Sequence, residues 1–322
     1  MMNLITMGRR GALILATALL GAACSPASDT NESSTTQTNQ ALPAGNIDDA
    51  RINNAASEPG NWLAHGLDYR EQRFSPLTQI NRDTVAKLGL AYELDVGSND
   101  ALEATPIVVD NTLFFTSTYS IVHAVDAVSG EELWRYDPQV PKEFLRKACC
   151  GPINRGVSVY QGNVYVATLD GRLVAVKASN GEKVWEVDTV IDRDRFYSIT
   201  GAPKTAKGKV FIGNGGAEFG VRGYVTAYDA ATGEQIWRFY PVPGDPSLPF
   251  EHPEMELAAE TWKGGSWWEF GGGGTVWKSI VYDPDFNNVY LGVGNGSPWT
   301  RVIRSPGGGD NLFLSSVVAL DA

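Results

Sequence analysis

A tryptophan that returns in a fixed frame is the feature that most constrains this chain. Residues 124–134 read AVDAVSGEELW, residues 175–185 AVKASNGEKVW and residues 227–237 AYDAATGEQIW. Ala124, Ala175 and Ala227 stand 51 and 52 residues apart, and a fourth copy opens at Ala319-Leu320-Asp321-Ala322. Each copy follows short runs rich in Val, Tyr, Phe and Thr, such as Thr112–Ser117 with Ser120–Val125, Asn163–Thr168 with Leu173–Val176, and Val210–Gly213 with Tyr224–Tyr228. Turn signals containing Gly separate these runs. The D-x-x-T-G portion is itself a tight turn, and the Trp falls on the strand after it. One repeat is therefore about four short antiparallel strands. A sheet that small cannot bury both faces alone, so the repeats have to stack. Four-stranded units of about 50 residues stacked around an axis make a β-propeller. Trp134, Trp185 and Trp237 are then packing residues wedged between neighbouring blades.

The sequence thus predicts an all-β fold, with residues 47–322 supplying about four blades. The last copy stops inside its motif, so the expectation is a partial propeller, truncated at the C-terminus. The interval from Asp229 to Asp321 is longer, at 92 residues, and the excess is expected in Pro241–Gly274. A long insertion on a rigid scaffold is where function usually sits.

Composition narrows the function. There are 26 Lys+Arg against 37 Asp+Glu, a formal charge of −11. Such a chain is a poor partner for nucleic acid or an anionic membrane. Hydrophobic residues at 43% and charged residues at 20% exclude disorder for most of the chain. Three Cys and three His exclude a four-Cys zinc site and a C-x-x-C-H haem attachment within these residues.

Arg9 and Arg10 precede an apolar run, Gly11–Ala23, that ends in small residues. This reads as a secretory signal peptide over residues 1–23, too short to span a bilayer. Cys24 follows Leu20-Gly21-Ala22-Ala23 directly, which suggests a lipoprotein signal with a lipid anchor at Cys24; ordinary cleavage nearby is the alternative. Residues 24–46, polar and rich in Ser, Thr and Asn, read as a flexible linker. Export implies an oxidising compartment, the periplasm, where disulfides persist.

Several residues are hard to explain as packing. Cys149-Cys150 is an adjacent pair. Neighbouring Cα atoms lie closer than a disulfide normally spans, so a bridge here is strained. Two free buried thiols are the alternative, and the oxidising compartment favours the bridge. Such a rigid kink suggests that it faces a ligand. Phe211–Glu218 (FIGNGGAE) puts a carboxylate after a glycine-rich strand end, where backbone can approach a ligand closely; a solvated Glu near a bulge is the alternative. Gly294-Asn295-Gly296 isolates one Asn, which read alone is also compatible with a left-handed turn residue. Trp277 follows Gly271–Gly274 and Thr275-Val276 and lies off the repeat, so blade packing does not account for it.

Together, CCGPINRG at 149–156, GNGGAEFGVRGYVTAYD at 213–229, GGGGTVW at 271–277 and GVGNGSPW at 292–299 resemble the pyrroloquinoline quinone (PQQ)-dependent alcohol dehydrogenases. The quinohaemoprotein members, with an eight-bladed propeller followed by a haem domain, are the most similar. The resemblance covers about residues 55–322, about half of such a propeller. It implies PQQ lying between the vicinal disulfide Cys149–Cys150 and the indole of Trp277. It further implies cofactor contacts from Glu103, Arg155, Thr200 and Thr275, with backbone from Gly216 and Ala217. Methanol dehydrogenases of the family carry Ser where this chain has Gly215, and no role is read for that side chain. Glu218 and Asn295 match the calcium ligands, an all-oxygen pair suited to a hard cation; calcium and a lanthanide both remain open. The family's general base is an Asp in a later blade, expected beyond Ala322, so no catalytic residue is assigned within the chain and the fragment is expected to be inactive alone.

The resemblance implies an enzyme of the periplasm that oxidises a small alcohol to a carbonyl and passes electrons to a cytochrome c or haem domain, with haem c in the missing C-terminal part. Two alternatives stand beside it. One is a non-catalytic propeller scaffold lipoprotein of outer-membrane assembly, which has no need of Cys149-Cys150, Glu218, Trp277 and Asn295. The other is a PQQ dehydrogenase for polyvinyl alcohol or sugars.

Overall fold

The computed structural model describes residues 45–322. The expected signal peptide, Cys24 and the expected linker up to residue 44 lie outside them. Gly45 and Asn46, read from sequence as the end of the linker, are already packed. Gly45 O accepts from Gly162 N at 3.0 Å, and Ile47 O accepts from Gln161 N at 2.7 Å.

Three complete four-stranded antiparallel sheets follow one another, each in simple meander order. The first holds β1 (Ile107–Val109), β2 (Thr112–Thr116), β3 (Val122–Asp126) and β4 (Glu132–Tyr136). The second holds β5 (Ser158–Tyr160), β6 (Asn163–Ala167), β7 (Arg172–Lys177) and β8 (Lys183–Asp188). The third holds β9 (Lys204–Ala206), β10 (Lys209–Gly213), β11 (Val225–Asp229) and β12 (Gln235–Phe239). The opening hairpin of each blade turns on two residues of positive φ: Asp110-Asn111, Gln161-Gly162 and Lys207-Gly208. That geometry matches the twist of the flanking strands.

The tryptophans sit in one recurring joint. Ala124, Ala175 and Ala227 pair across the sheet with Trp134, Trp185 and Trp237, and the register slips at the next residue in all three blades. Within its blade each indole leans on an aromatic ring of the second strand, Phe114, Tyr165 or Phe211, at 5.8–5.9 Å between centroids. Toward the next blade, Trp134 Nε1 donates to Ala178 O and Trp185 Nε1 to Ala230 O, both at 3.0 Å. The glycine of the following motif makes room. A Cβ on Gly181 would stand 2.6 Å from the Trp134 ring, and one on Gly233 2.8 Å from that of Trp185. Both glycines also have positive φ, a backbone that L side chains rarely adopt.

The joint has one more member, which the motif hides. A Cβ on Gly130 would stand 2.4 Å from the ring of Tyr92, and Tyr92 Oη donates to Ala127 O at 3.1 Å. Tyr92 thus does for the first blade what Trp134 does for the second. Around it, exposure alternates from Ala91 to Val96 with the period of a strand.

The fourth blade has three strands, β14 (Ile280–Asp283), β15 (Asn288–Gly292) and β17 (Val317–Asp321). Its extra length is divided. Only part lies in Pro241–Gly274, where the sequence placed all of it; the rest is the connection 293–316 between β15 and β17. The two connections meet through the short pair β13 (Gly272–Gly273) and β16 (Gly296–Ser297). Trp262, Trp267 and Val242 form a small core of their own beneath them.

The helix α1 (Asp49–Asn53) straps two blades together at one end. Asp49 accepts from Tyr69 Oη at 2.6 Å, Tyr160 Oη at 3.1 Å and Lys207 N at 3.0 Å.

Candidate functional site

In every blade the first strand begins, and the second ends, at the same end of the sheet, because the two are antiparallel. Residues at those two places therefore crowd one end of the ring axis. Arg155 lies just before β5, Ser198 and Thr200 just before β9, and Thr275 and Trp277 just before β14. Glu218 follows β10 and Asn295 follows β15. The Cys149-Cys150 pair lies in the connection into the second blade.

These residues line one cavity of about 250 Å³. Cys149, Cys150, Arg155, Thr200, Gly216, Glu218, Thr275, Trp277 and Asn295 all face it. The Sγ atoms of Cys149 and Cys150 stand at bonding distance, with Cα atoms 3.8 Å apart. Glu103 and Ala217 are not among the lining residues. Glu103 reaches the site through Arg155, its carboxylate 3.0 Å from a guanidinium nitrogen. Ala217 is buried behind the wall. Two lining residues had no role in the sequence reading, Gly215 and Ser198. Ser198 had a signal. It stands two before Thr200 on an extended segment, so both hydroxyls face one side while Ile199 between them enters the core.

Local structure fixes each group. Asn154 uses all of its amide capacity: Oδ1 accepts from Thr116 Oγ1 and Gly156 N, both at 2.9 Å, and Nδ2 donates to Ser120 Oγ and Ala167 O. That anchors the CCGPINRG loop beside Arg155. Arg155 N donates to Thr200 O at 2.9 Å, and its guanidinium donates to Thr200 Oγ1. The same guanidinium lies over the Trp277 ring, 5.2 Å from the centroid. Trp277 lies outside any blade joint, is 45% exposed and lines the cavity.

Gly216 sits at φ +100°, and a Cβ there would stand 2.4 Å from Phe196 O. The chain turns sharply here and carries Glu218 to the cavity. Glu218 forms no hydrogen bond or ion pair among the described residues. Asn295 is not in a left-handed conformation, so the turn-residue reading of it fails. Its Nδ2 donates to Gly296 O at 3.2 Å, which leaves Oδ1 without a donor. A carboxylate and an amide oxygen that line the same cavity are thus both uncommitted. No group of three or more His, Cys, Asp or Glu residues arranged for a metal occurs among the described residues. A hard cation held by this pair would complete its shell with oxygens of a bound ligand. A cavity lined by a sulfur pair and an indole, with an arginine beside the indole, suits a flat anionic ring system. The residues present therefore fit PQQ with a divalent or trivalent ion.

Comparison with known proteins places the fold in a family. Residues 62–322 match the family described as PQQ: Glucose/ethanol/alcohol dehydrogenase, beta-propeller domain. The chain is 56% identical over 280 residues to quinohemoprotein alcohol dehydrogenase ADH IIB of Pseudomonas putida, covering 87% of this chain and 40% of that protein. The structure of the quinohemoprotein alcohol dehydrogenase from Comamonas testosteroni is similar with a TM-score of 0.85 at 50% identity, over 87% of this chain and 42% of that one. A europium-containing methanol dehydrogenase is similar at a TM-score of 0.75 and 33% identity, over 84% of this chain and 48% of that one. The chain thus spans about two fifths of the length of the alcohol dehydrogenases it matches. By the match over its propeller residues, the chain belongs to the PQQ-dependent glucose/ethanol/alcohol dehydrogenase propeller family.

Proposed function

We propose that this chain is the cofactor-binding part of a PQQ- and calcium-dependent alcohol dehydrogenase of the periplasm. One observation carries the reading: the Cys149–Cys150 pair, Trp277, Arg155 and the uncommitted oxygens of Glu218 and Asn295 converge on a single cavity. A scaffold propeller has no use for that convergence.

Bound there, PQQ would supply a two-electron acceptor for hydrogen from the alcohol carbon, with the cation as the Lewis acid that polarises it. The chain's own groups bind and orient. Trp277 offers an indole face, and the vicinal disulfide closes the opposite side. Arg155, with Thr200 and Thr275 nearby, meets carboxylate and carbonyl oxygens. Glu103 holds the guanidinium in place against Trp277. Glu218 and Asn295 give the cation two oxygens. The acceptor of the hydroxyl proton is an Asp that the family resemblance assigns to a later blade. Electrons leave toward a cytochrome c or a haem domain. The leader over residues 1–23 supports export, and Cys24 supports a lipid tether.

The test is reconstitution of the full-length protein with PQQ and Ca²⁺, followed by dye reduction with primary and secondary alcohols. Alcohol-dependent reduction that requires both additions is expected. No reduction across a broad alcohol panel overturns the substrate assignment.

A further inference from the structure

A second cavity, of about 220 Å³, lies along the same inner strands but past Trp277. Lys278, directly after Trp277, lines it, as does Lys204, four residues after Thr200. His65, Glu71 and Arg73 complete the polar wall. Glu71 forms an ion pair with Lys204. Arg73 and Lys278 have no ion pair among the described residues. Three cations therefore share one carboxylate, in a chain whose net charge is −11.

His65 sits within this field. It is nine-tenths buried, and its Nε2 is 3.4 Å from Thr105 Oγ1. Its Nδ1 is buried with no hydrogen-bond partner. Burial pushes its pKa down to about 3, helped by Lys204, Arg73 and Lys278. The imidazole is therefore neutral at neutral pH. The Thr105 contact engages Nε2 and leaves Nδ1 without a partner, whichever nitrogen holds the proton. Like charges around one cavity repel, and a negatively charged ligand relieves that repulsion.

We propose that this cavity binds a small oxyanion, with Arg73, Lys204 and Lys278 supplying the charge. The site is separate from the Trp277 pocket and does not depend on the reading of that pocket. Phosphate and carboxylate share the required chemistry, and the experiment separates them.

The purified full-length protein is held in a zwitterionic buffer with chloride setting a constant ionic strength. Inorganic phosphate is titrated in one arm and acetate in the other, and the thermal midpoint is followed. A saturable rise is expected with at least one of the two, absent when chloride replaces it. Lys278→Gln and Arg73→Gln should each weaken the apparent affinity roughly tenfold. In the chloride buffer without phosphate or acetate each variant should be at least as stable as the parent, because a repulsion has been removed. No saturable response to either anion overturns the proposal. So does an affinity equal to the parent's in both variants, or a loss of stability of the variants in that buffer.

Discussion

Glu218 and Asn295 reach the cavity from equivalent places, the loop after the second strand, in two successive blades. Neither oxygen has another partner, so each is available to a cation. Glu218→Gln keeps the shape and removes the charge. The variant should retain Ca²⁺ and PQQ less well, read as cofactor released on gel filtration and quantified by absorbance. Equal retention would show that Glu218 does not hold the metal. Mild reduction of Cys149–Cys150 should lower reconstituted activity while leaving the far-ultraviolet circular dichroism unchanged. His65 gives a pH dependence that is independent of any ligand. Its folded pKa lies below the ordinary 6.5, so the unfolded chain binds the extra proton. Its contribution to stability is full above pH 6.5 and shrinks as pH falls toward 3. His123 is lowered in the same direction by burial, which outweighs the opposing pull of Glu132. Denaturant midpoints should therefore fall from pH 6.5 to 5, before most carboxylates titrate, and His65→Gln should flatten part of that slope.

At the scale of the element, the tryptophan–glycine joint organises everything else. Gly181→Ala forces a Cβ against the Trp134 ring in a backbone region that disfavours it. The cost should be about 1–3 kcal/mol, seen as a lower denaturant midpoint with an unchanged m-value. Trp185→Phe should cost a similar amount, because Ala230 O loses one of its two donors, keeping Tyr165 Oη, and the indole volume is lost with it. The joint was legible in the sequence because all its parts recur in one short motif, and the four-stranded blade followed from it. Tyr92 escaped because a phenol can fill the indole's place with no T-G-E motif before it. The extra length of the fourth blade was misplaced in part because residues 293–316 carry no repeat of their own to mark where β15 ends and β17 begins.

For the whole molecule, the site is a property of the ring and not of any segment. Arg155, Thr200 and Trp277 come from entries to three different blades, and no periodicity in the chain announces that they meet. The family resemblance named most of them; the residues alone singled out only the disulfide pair, Glu218, Trp277 and Asn295. Ser198 went unread although its spacing from Thr200 places it on the cavity wall. Because the wall is shared, removal of the cation should loosen more than one blade. Chelation of a reconstituted protein should release PQQ and lower the thermal midpoint together, whereas the apoprotein should not respond to chelator.

The two joint indoles that donate, Trp134 and Trp185, point the same way, each from its own blade into the next. That gives the ring a sense of rotation. A repeat is thus a link with two unlike ends, a plug of indole on one side and a socket of glycine and carbonyl on the other. Grafting or duplicating such a link should succeed only when it is inserted head to tail and in phase, so that every plug still finds a socket.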